Sequence, residues 1–327
     1  MTAEPILEVR DLSVSVPLSD GGRANVVRDV DFSISAGGTV GLVGESGSGK
    51  TMTSLAIMGL LPPGVRVESG QIRLLGEDLL LKSPRELQQI RGREIAMVMQ
   101  DAMTALDPSY TVRGQLAPTL RQHRGLHGQE LDAAVRTSLQ QVHLPQAVAR
   151  QYPHQLSGGM RQRVTGAIAL AGSPRLLIAD EPTTALDVTT QARYLQLLRE
   201  LQRETGVALL LVTHDLLVVR HICQRVILMY SSEIVEEGPV GEVFEQPQHP
   251  YTRALIGAIP VLGETVSLQS IEGRAPDTAE SIPGCRFEPR CAYARALCAE
   301  RHPELTPRDP DARARCFGTG ADGWIRS

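Results

Sequence analysis

Gly44-Glu45-Ser46-Gly47-Ser48-Gly49-Lys50-Thr51 is the stretch whose reading decides the fold. An apolar run, Thr39-Val40-Gly41-Leu42-Val43, leads into it, and Met52-Thr53-Ser54-Leu55-Ala56-Ile57-Met58 leads out. That order predicts strand, glycine-rich turn, helix. The turn fits G-x-x-x-x-G-K-[ST], the phosphate-binding P-loop. Its glycines let backbone N–H groups converge on an anion with no side chain in the way. The following helix adds its positive N-terminal end at the same point. Lys50 has the reach for β- and γ-phosphates, and the Thr51 hydroxyl suits Mg²⁺.

Working outward, Leu7 to Val16 and Val26 to Ile34 alternate apolar and polar residues as half-exposed strands do. With Ser69 to Leu75 they predict an antiparallel layer beside the nucleotide core. Downstream, short apolar runs end on polar residues: Ile95 to Met99 at Gln100, Leu176 to Ala179 at Asp180-Glu181, Val207 to Thr213 at His214. Val226 to Tyr230 is a further strand. From Pro108 to about Val148 the pattern is helical. Alternating strands and helices predict an α/β class with a largely parallel core sheet, whose ligands sit at the carboxyl ends of its strands. After about Gly241 prolines and arginines become frequent and the periodicity fades. The expected division is a nucleotide-binding domain over 1–240 and a separate extension over 241–327.

The chain has 327 residues, 42% of them hydrophobic, enough for one large domain with an appendage or for two domains. A net charge of −4 predicts no basic face, so nucleic acid is not an expected partner. No apolar run approaches the roughly 18 residues of a membrane span. Met1-Thr2-Ala3-Glu4-Pro5 has neither the cationic nor the apolar part of a signal peptide. These features predict a cytoplasmic protein able to reach a membrane through a partner. Of five cysteines, four lie in the last 43 residues, and in a reducing compartment that clustering points to metal more than to disulfides.

A second glycine turn opens a helix at Leu156-Ser157-Gly158-Gly159-Met160-Arg161-Gln162-Arg163. It too suits a phosphate, yet one ATP hardly needs two cradles in one chain. Two chains meeting head to tail solve this: Ser157 of one closes over the γ-phosphate held by the P-loop of the other.

With these residues in order and at these spacings, the chain over roughly 5–240 resembles ABC ATPase domains. The resemblance implies a P-loop NTPase fold: an antiparallel β subdomain, a parallel core sheet and a helical subdomain at about 101–160. It also assigns roles. Asp180 ends the Walker B strand and holds Mg²⁺ with Thr51 and Gln100. Glu181 is the general base that orients the attacking water, in a reaction resting mainly on positioning and charge stabilisation. His214 contacts the γ-phosphate, and Gln100, in the Q-loop, also ligates water. Asp187, after Ala185-Leu186, belongs to the D-loop, which touches the partner chain. ATP binding falls to Gly44 through Thr51, Val16, Ser157, Gly158, Gly159 and Asp187. One departure stands out: Val16 occupies the position where family members place an aromatic to stack on adenine. An aliphatic surface gives up a stacking gain of about 0.5–1.5 kcal/mol, which predicts weak discrimination between ATP and GTP.

The segments Gln100-Asp101-Ala102-Met103-Thr104-Ala105-Leu106-Asp107-Pro108, Tyr152-Pro153-His154-Gln155 and Gln248-His249-Pro250-Tyr251-Thr252-Arg253-Ala254-Leu255 resemble the dipeptide, oligopeptide and nickel permease group. Gaps of five, six and seventeen residues separate Cys285, Cys291, Cys298 and Cys316. Four thiolates can enclose an iron–sulfur cluster or zinc, and free or disulfide-linked thiols remain open as well. The resemblance implies a [4Fe–4S] cluster. Cys223 reads as a small core residue. The resemblance further implies an ATPase on the cytoplasmic face of the membrane, powering an importer of peptides, nickel or another small solute. Its partners would be a second, distinct ABC ATPase, two transmembrane permease subunits and an extracytoplasmic substrate-binding protein. The rival expectations are a soluble ABC ATPase of DNA repair or translation, and an iron–sulfur redox sensor.

Overall fold

The computed structural model describes residues 4–99, 105–184, 187–259, 271–278, 280, 282–319 and 323–325. The strands are Pro5–Pro17 (β1), Arg23–Ser35 (β2), Thr39–Gly44 (β3), Arg66–Leu74 (β4), Glu77–Asp78 (β5), Ile95–Val98 (β6), Leu176–Asp180 (β7), Ala208–Thr213 (β8), Arg225–Tyr230 (β9), Glu233–Pro239 (β10), Thr306–Asp309 (β11) and Ala312–Ala314 (β12). The helices are Lys50–Met58 (α1), Pro84–Ile90 (α2), Val112–Arg124 (α3), Gly128–Gln141 (α4), Gly158–Leu170 (α5), Val188–Thr205 (α6), Leu216–Ile222 (α7), Val240–Glu245 (α8), Pro250–Gly257 (α9) and Ala296–Glu300 (α10).

β2, β1, β4 and β5 lie in that order in a four-stranded sheet, with β4 and β5 antiparallel. By contact, the chain divides into two compact units. One comprises Met1–Glu8, Ser33–Thr39 and Ile72–Val212. Its strands run in the order β8-β7-β6, all parallel, with Leu176 opposite both Ile95 and Ala208. β7 and β8 are buried along their whole length, as strands covered on both faces must be. Within the segment expected to be helical, 101–160, lie α3 and α4, and α5 follows from Gly158 to Leu170. Their buried stripe, Leu116, Leu120, Leu131, Val135, Leu139 and Val164, recurs at helical spacing. Thr111 and Ser157 cap α3 and α5 through their side-chain oxygens.

The other unit comprises Val9–Phe32, Val40–Gln71 and Thr213–Ser327. Its strands run β11-β12-β10-β9-β3. β3 and β9 are parallel, with Gly44 opposite Met229, while β9, β10, β12 and β11 pair antiparallel. Residues beyond 241 are therefore hydrogen-bonded into the unit that carries the P-loop: Glu236 of β10 faces Ala314 and Glu237 faces Arg313. Tyr230, Tyr251 and Phe287 form an aromatic cluster with ring centroids 4.8–5.6 Å apart. Among the described residues no helix is long and apolar enough to cross a membrane.

Candidate nucleotide-binding site

In the P-loop unit, buried β3 delivers the chain to Glu45, and α1 begins at Lys50. Gly49 sits at φ 101°, in the region L side chains rarely adopt, and a Cβ there would lie 2.4 Å from the Val26 carbonyl oxygen. The backbone turn thus requires glycine at this point. Lys50 Nζ donates to the carbonyls of Gly44 and Glu45, both at 2.8 Å, and to Ser48 Oγ at 3.4 Å. Its ammonium is laid across the loop's own carbonyls. The tip, Ser46-Gly47, and Thr51 are exposed. Val16, at the end of β1, is half-buried.

His214 follows β8 and is exposed. Asp215 beside it caps α7 by accepting from the backbone N–H groups of Leu217 and Val218, and Thr213 Oγ1 accepts from Asp215 N–H. The turn presenting His214 is held by both of its neighbours.

In the other unit Asp180 is buried at the end of β7. Glu181 takes φ 43°, unusual for a residue with a Cβ and costly by about 1–3 kcal/mol. Its N–H donates to Val212 O at 2.8 Å and its Oε2 accepts from Thr184 Oγ1 at 2.9 Å. Asp187 caps α6: Thr190 N–H donates to Oδ1 at 3.0 Å and Thr190 Oγ1 to Oδ2 at 2.7 Å. Those bonds hold its carboxyl below the usual range. Thr190 also explains a second glycine, since a Cβ on Gly159 would lie 2.7 Å from Thr190 Cγ2. The Ser157 turn and the Asp187 turn are therefore packed together, with Ser157 and Gly158 facing solvent. Gln100 and Ala185-Leu186 lie outside the described residues.

The four clustered cysteines line one cavity, with Phe287, Pro303, Phe317, Trp324 and Ile325 around them. Cys285 N–H donates to Cys298 O at 2.7 Å, and Gly318 N–H donates to Cys316 Sγ at 3.3 Å. Burial pushes the Cys285 thiol up to about 12 and Cys291 to about 11, and raises Cys316. Neighbouring thiolates push Cys285 in the same direction. Among the described residues no group of three or more His, Cys, Asp or Glu side chains is gathered tightly enough to hold a single metal ion. Cys223 is buried, and burial raises its thiol to about 12, as in a core residue.

Comparison with known proteins agrees with this arrangement. Residues 27–184 match the family model described as ABC transporter, and residues 235–298 match that described as oligopeptide/dipeptide transporter, C-terminal region. A protein of Brucella melitensis named for peptide import ATP-binding is 46% identical over 305 residues, covering 92% of each chain. A Brucella ovis protein of the same name is 45% identical over 332 residues, covering 97% of this chain and 98% of the other. The chain belongs to the ABC transporter ATP-binding family.

Solved ABC structures give the fold independently. The dimeric ATP-binding cassette MJ0796, in a post-hydrolysis state bound to ADP and Pi, superposes with a TM-score of 0.64 at 29% identity, covering 72% of this chain and 98% of that one. The cbiO1 cassette of Clostridium perfringens, part of the ABC transporter complex cbiONQ, does so at 0.62 and 26% identity, covering 74% and 92%. The ABC cassette here also has neighbours that sequence reading missed. The turn between β9 and β10 holds Ser231 and Ser232 at φ 45° and 78°. Ser232 N–H donates to Ser48 O at 3.1 Å, bringing that turn onto the P-loop. Paired positive φ values fit the type I′ hairpin, a turn usually signalled by Asn-Gly, so Ser-Ser gave no cue.

Proposed function

We propose that this ABC protein is the ATP-hydrolysing subunit of a peptide importer and works as one half of an ATP sandwich. The observation that carries this is the pairing of an intact P-loop with a matched oligopeptide/dipeptide C-terminal region in one chain. In this reading the P-loop amides and Lys50 cradle the triphosphate, and the Ser157-Gly158-Gly159 turn of a neighbouring ATPase closes over the γ-phosphate. The exposure of Ser157 and Gly158 in the single chain supports that assignment. Thr51, Asp180 and Gln100 would hold Mg²⁺, which supplies charge neutralisation for phosphoryl transfer. Their oxygen donors suit that hard cation. Glu181 accepts the proton of the attacking water, with its carboxylate oriented by Thr184, and His214 meets the γ-phosphate. Closure and reopening of the two ATPases would drive alternating access in two permease subunits, contacted through the helical segment at 101–160. The second ATPase is a related but distinct chain, peptides arrive from an extracytoplasmic binding protein, and the assembly sits on the cytoplasmic face of the membrane.

Cys285, Cys291, Cys298 and Cys316 would hold a [4Fe–4S] cluster in this reading. Four thiols lining one cavity support this reading, and the Gly318 N–H on Cys316 Sγ is the kind of contact that tunes such a cluster. Bound, the cluster would supply a cross-link ordering the extension.

Reconstitution tests the whole reading. Proteoliposomes holding this chain, a second ATPase and the two permeases should accumulate labelled peptide only with ATP and the binding protein present. Hydrolysis stimulated by nucleic acid, without peptide uptake, would refute it. Anaerobic purification should give a brown protein with iron and sulfide; a colourless, iron-free preparation rejects the cluster alone.

A further inference from the structure

We infer that Tyr251 and Arg290, both outside the nucleotide-binding motifs, are positioning residues for ATP binding that hold the P-loop through Glu45. The inference goes beyond the transport reading and does not depend on what the four cysteines bind.

The N–H, the carbonyl and one carboxylate oxygen of Glu45 are all held. Its N–H donates to Tyr251 Oη at 3.0 Å. Its carbonyl accepts from Lys50 Nζ at 2.8 Å and Ser48 N–H at 3.2 Å. Its Oε2 accepts from Arg290 Nη1 at 2.9 Å. Two of these contacts come from inside the loop; the other two come from the extension, 206 and 245 residues further along the chain.

Both external groups are themselves rigid. Tyr251 is fully buried near the start of α9. Buried Glu236 accepts from the N–H groups of Gln248 and His249 at 2.7 and 2.8 Å, and His249 Nδ1 accepts from Tyr251 N–H at 3.1 Å. The segment Gln248-His249-Pro250-Tyr251 is thereby a mount that aims one phenol at the P-loop. The Arg290 side chain is 6% exposed. It also donates to Tyr230 Oη at 3.2 Å and Glu272 O at 3.0 Å, and its guanidinium lies over the Tyr230 and Phe287 rings. A guanidinium held this way keeps its fork oriented.

The mechanical consequence concerns Lys50. To reach a phosphate its ammonium leaves the Gly44 and Glu45 carbonyls. Glu45 then retains the Ser48 N–H on its carbonyl, and Tyr251 and Arg290 add a hold on its N–H and its carboxylate. Pre-organisation of this kind acts on affinity.

The test uses the full-length chain titrated with Mg-ADP, which occupies the cradle without hydrolysis. Arg290→Gln should raise the dissociation constant about tenfold, the scale of a charge-assisted hydrogen bond. Glu45→Gln should do the same, and the double variant should be no worse than either single one. Arg290→Lys should recover part of the loss. Tyr251→Phe, which removes one oxygen and leaves the Glu45 N–H without its acceptor, should weaken binding about threefold. In turnover assays the loss should fall on KM for ATP more than on kcat. Unchanged Mg-ADP affinity in Arg290→Gln and Tyr251→Phe, with only lower thermal stability, would overturn the inference, and so would additive effects in the double variant. Should Arg290→Gln fail to fold, unchanged affinity in Tyr251→Phe overturns it alone.

Discussion

The Thr184 hydroxyl donates to Glu181 Oε2 at 2.9 Å, on a backbone where Glu181 itself holds φ 43°. The strand thus ends in a carboxylate fixed in both backbone and side chain. Glu181→Gln keeps the shape and removes the base. Phosphate release should fall by at least about a hundredfold, the lower end of what a general base contributes. Nucleotide binding should survive, so the variant mixed with the second ATPase should accumulate as an ATP-loaded dimer in size-exclusion chromatography. Retention of near wild-type turnover would take the base role away from Glu181.

Lys50→Ala acts earlier. The ammonium bridges Gly44 O, Glu45 O and Ser48 Oγ. Its loss should abolish measurable ATP binding at micromolar protein, where Glu181→Gln still binds. Equal affinity in the two variants would contradict the assigned roles.

Base recognition should be lax. With Val16 as the adenine contact, the base would meet an aliphatic surface without the stacking gain of about 0.5–1.5 kcal/mol. GTP should therefore compete with ATP within about tenfold, as about 1.4 kcal/mol is one decade. Val16→Tyr should increase the preference for ATP. A strong ATP preference in the wild type rejects the expectation.

Stability should depend on pH through His249. Burial, helped by the Arg315 cation, holds its imidazole down to about 3, against 6.5 for an ordinary histidine. As pH falls below 6.5 the unfolded chain takes up this proton first, so stability declines between about 6.5 and about 3. Adjacent Glu236 opposes this: burial raises its carboxyl, and protonating it favours the fold as pH falls. His249→Asn keeps a capping acceptor for Tyr251 N–H and leaves Glu236 in place. Urea unfolding across this window should show a shallower slope for the variant. Identical slopes would mean that His249 does not titrate as buried.

The sequence by itself determined the local chemistry. Gly49, Ser157-Gly158-Gly159, Asp180-Glu181 and Asp187 are legible because turns, caps and strand ends are short-range physics: a φ only glycine tolerates, an oxygen reaching an N–H three residues on, an apolar run that stops at a carboxylate. The cysteine spacing could equally be read, though not what gathers the thiols. Long-range packing shows that residues beyond 241 belong to the P-loop's own unit, that Ser231-Ser232 rests on Ser48, and that Tyr251 and Arg290 grip Glu45. Those contacts join residues roughly two hundred positions apart, and no periodicity encodes them. They exist because β10 and β12 pair and an aromatic cluster closes over them, which is a property of packing and not of any one segment.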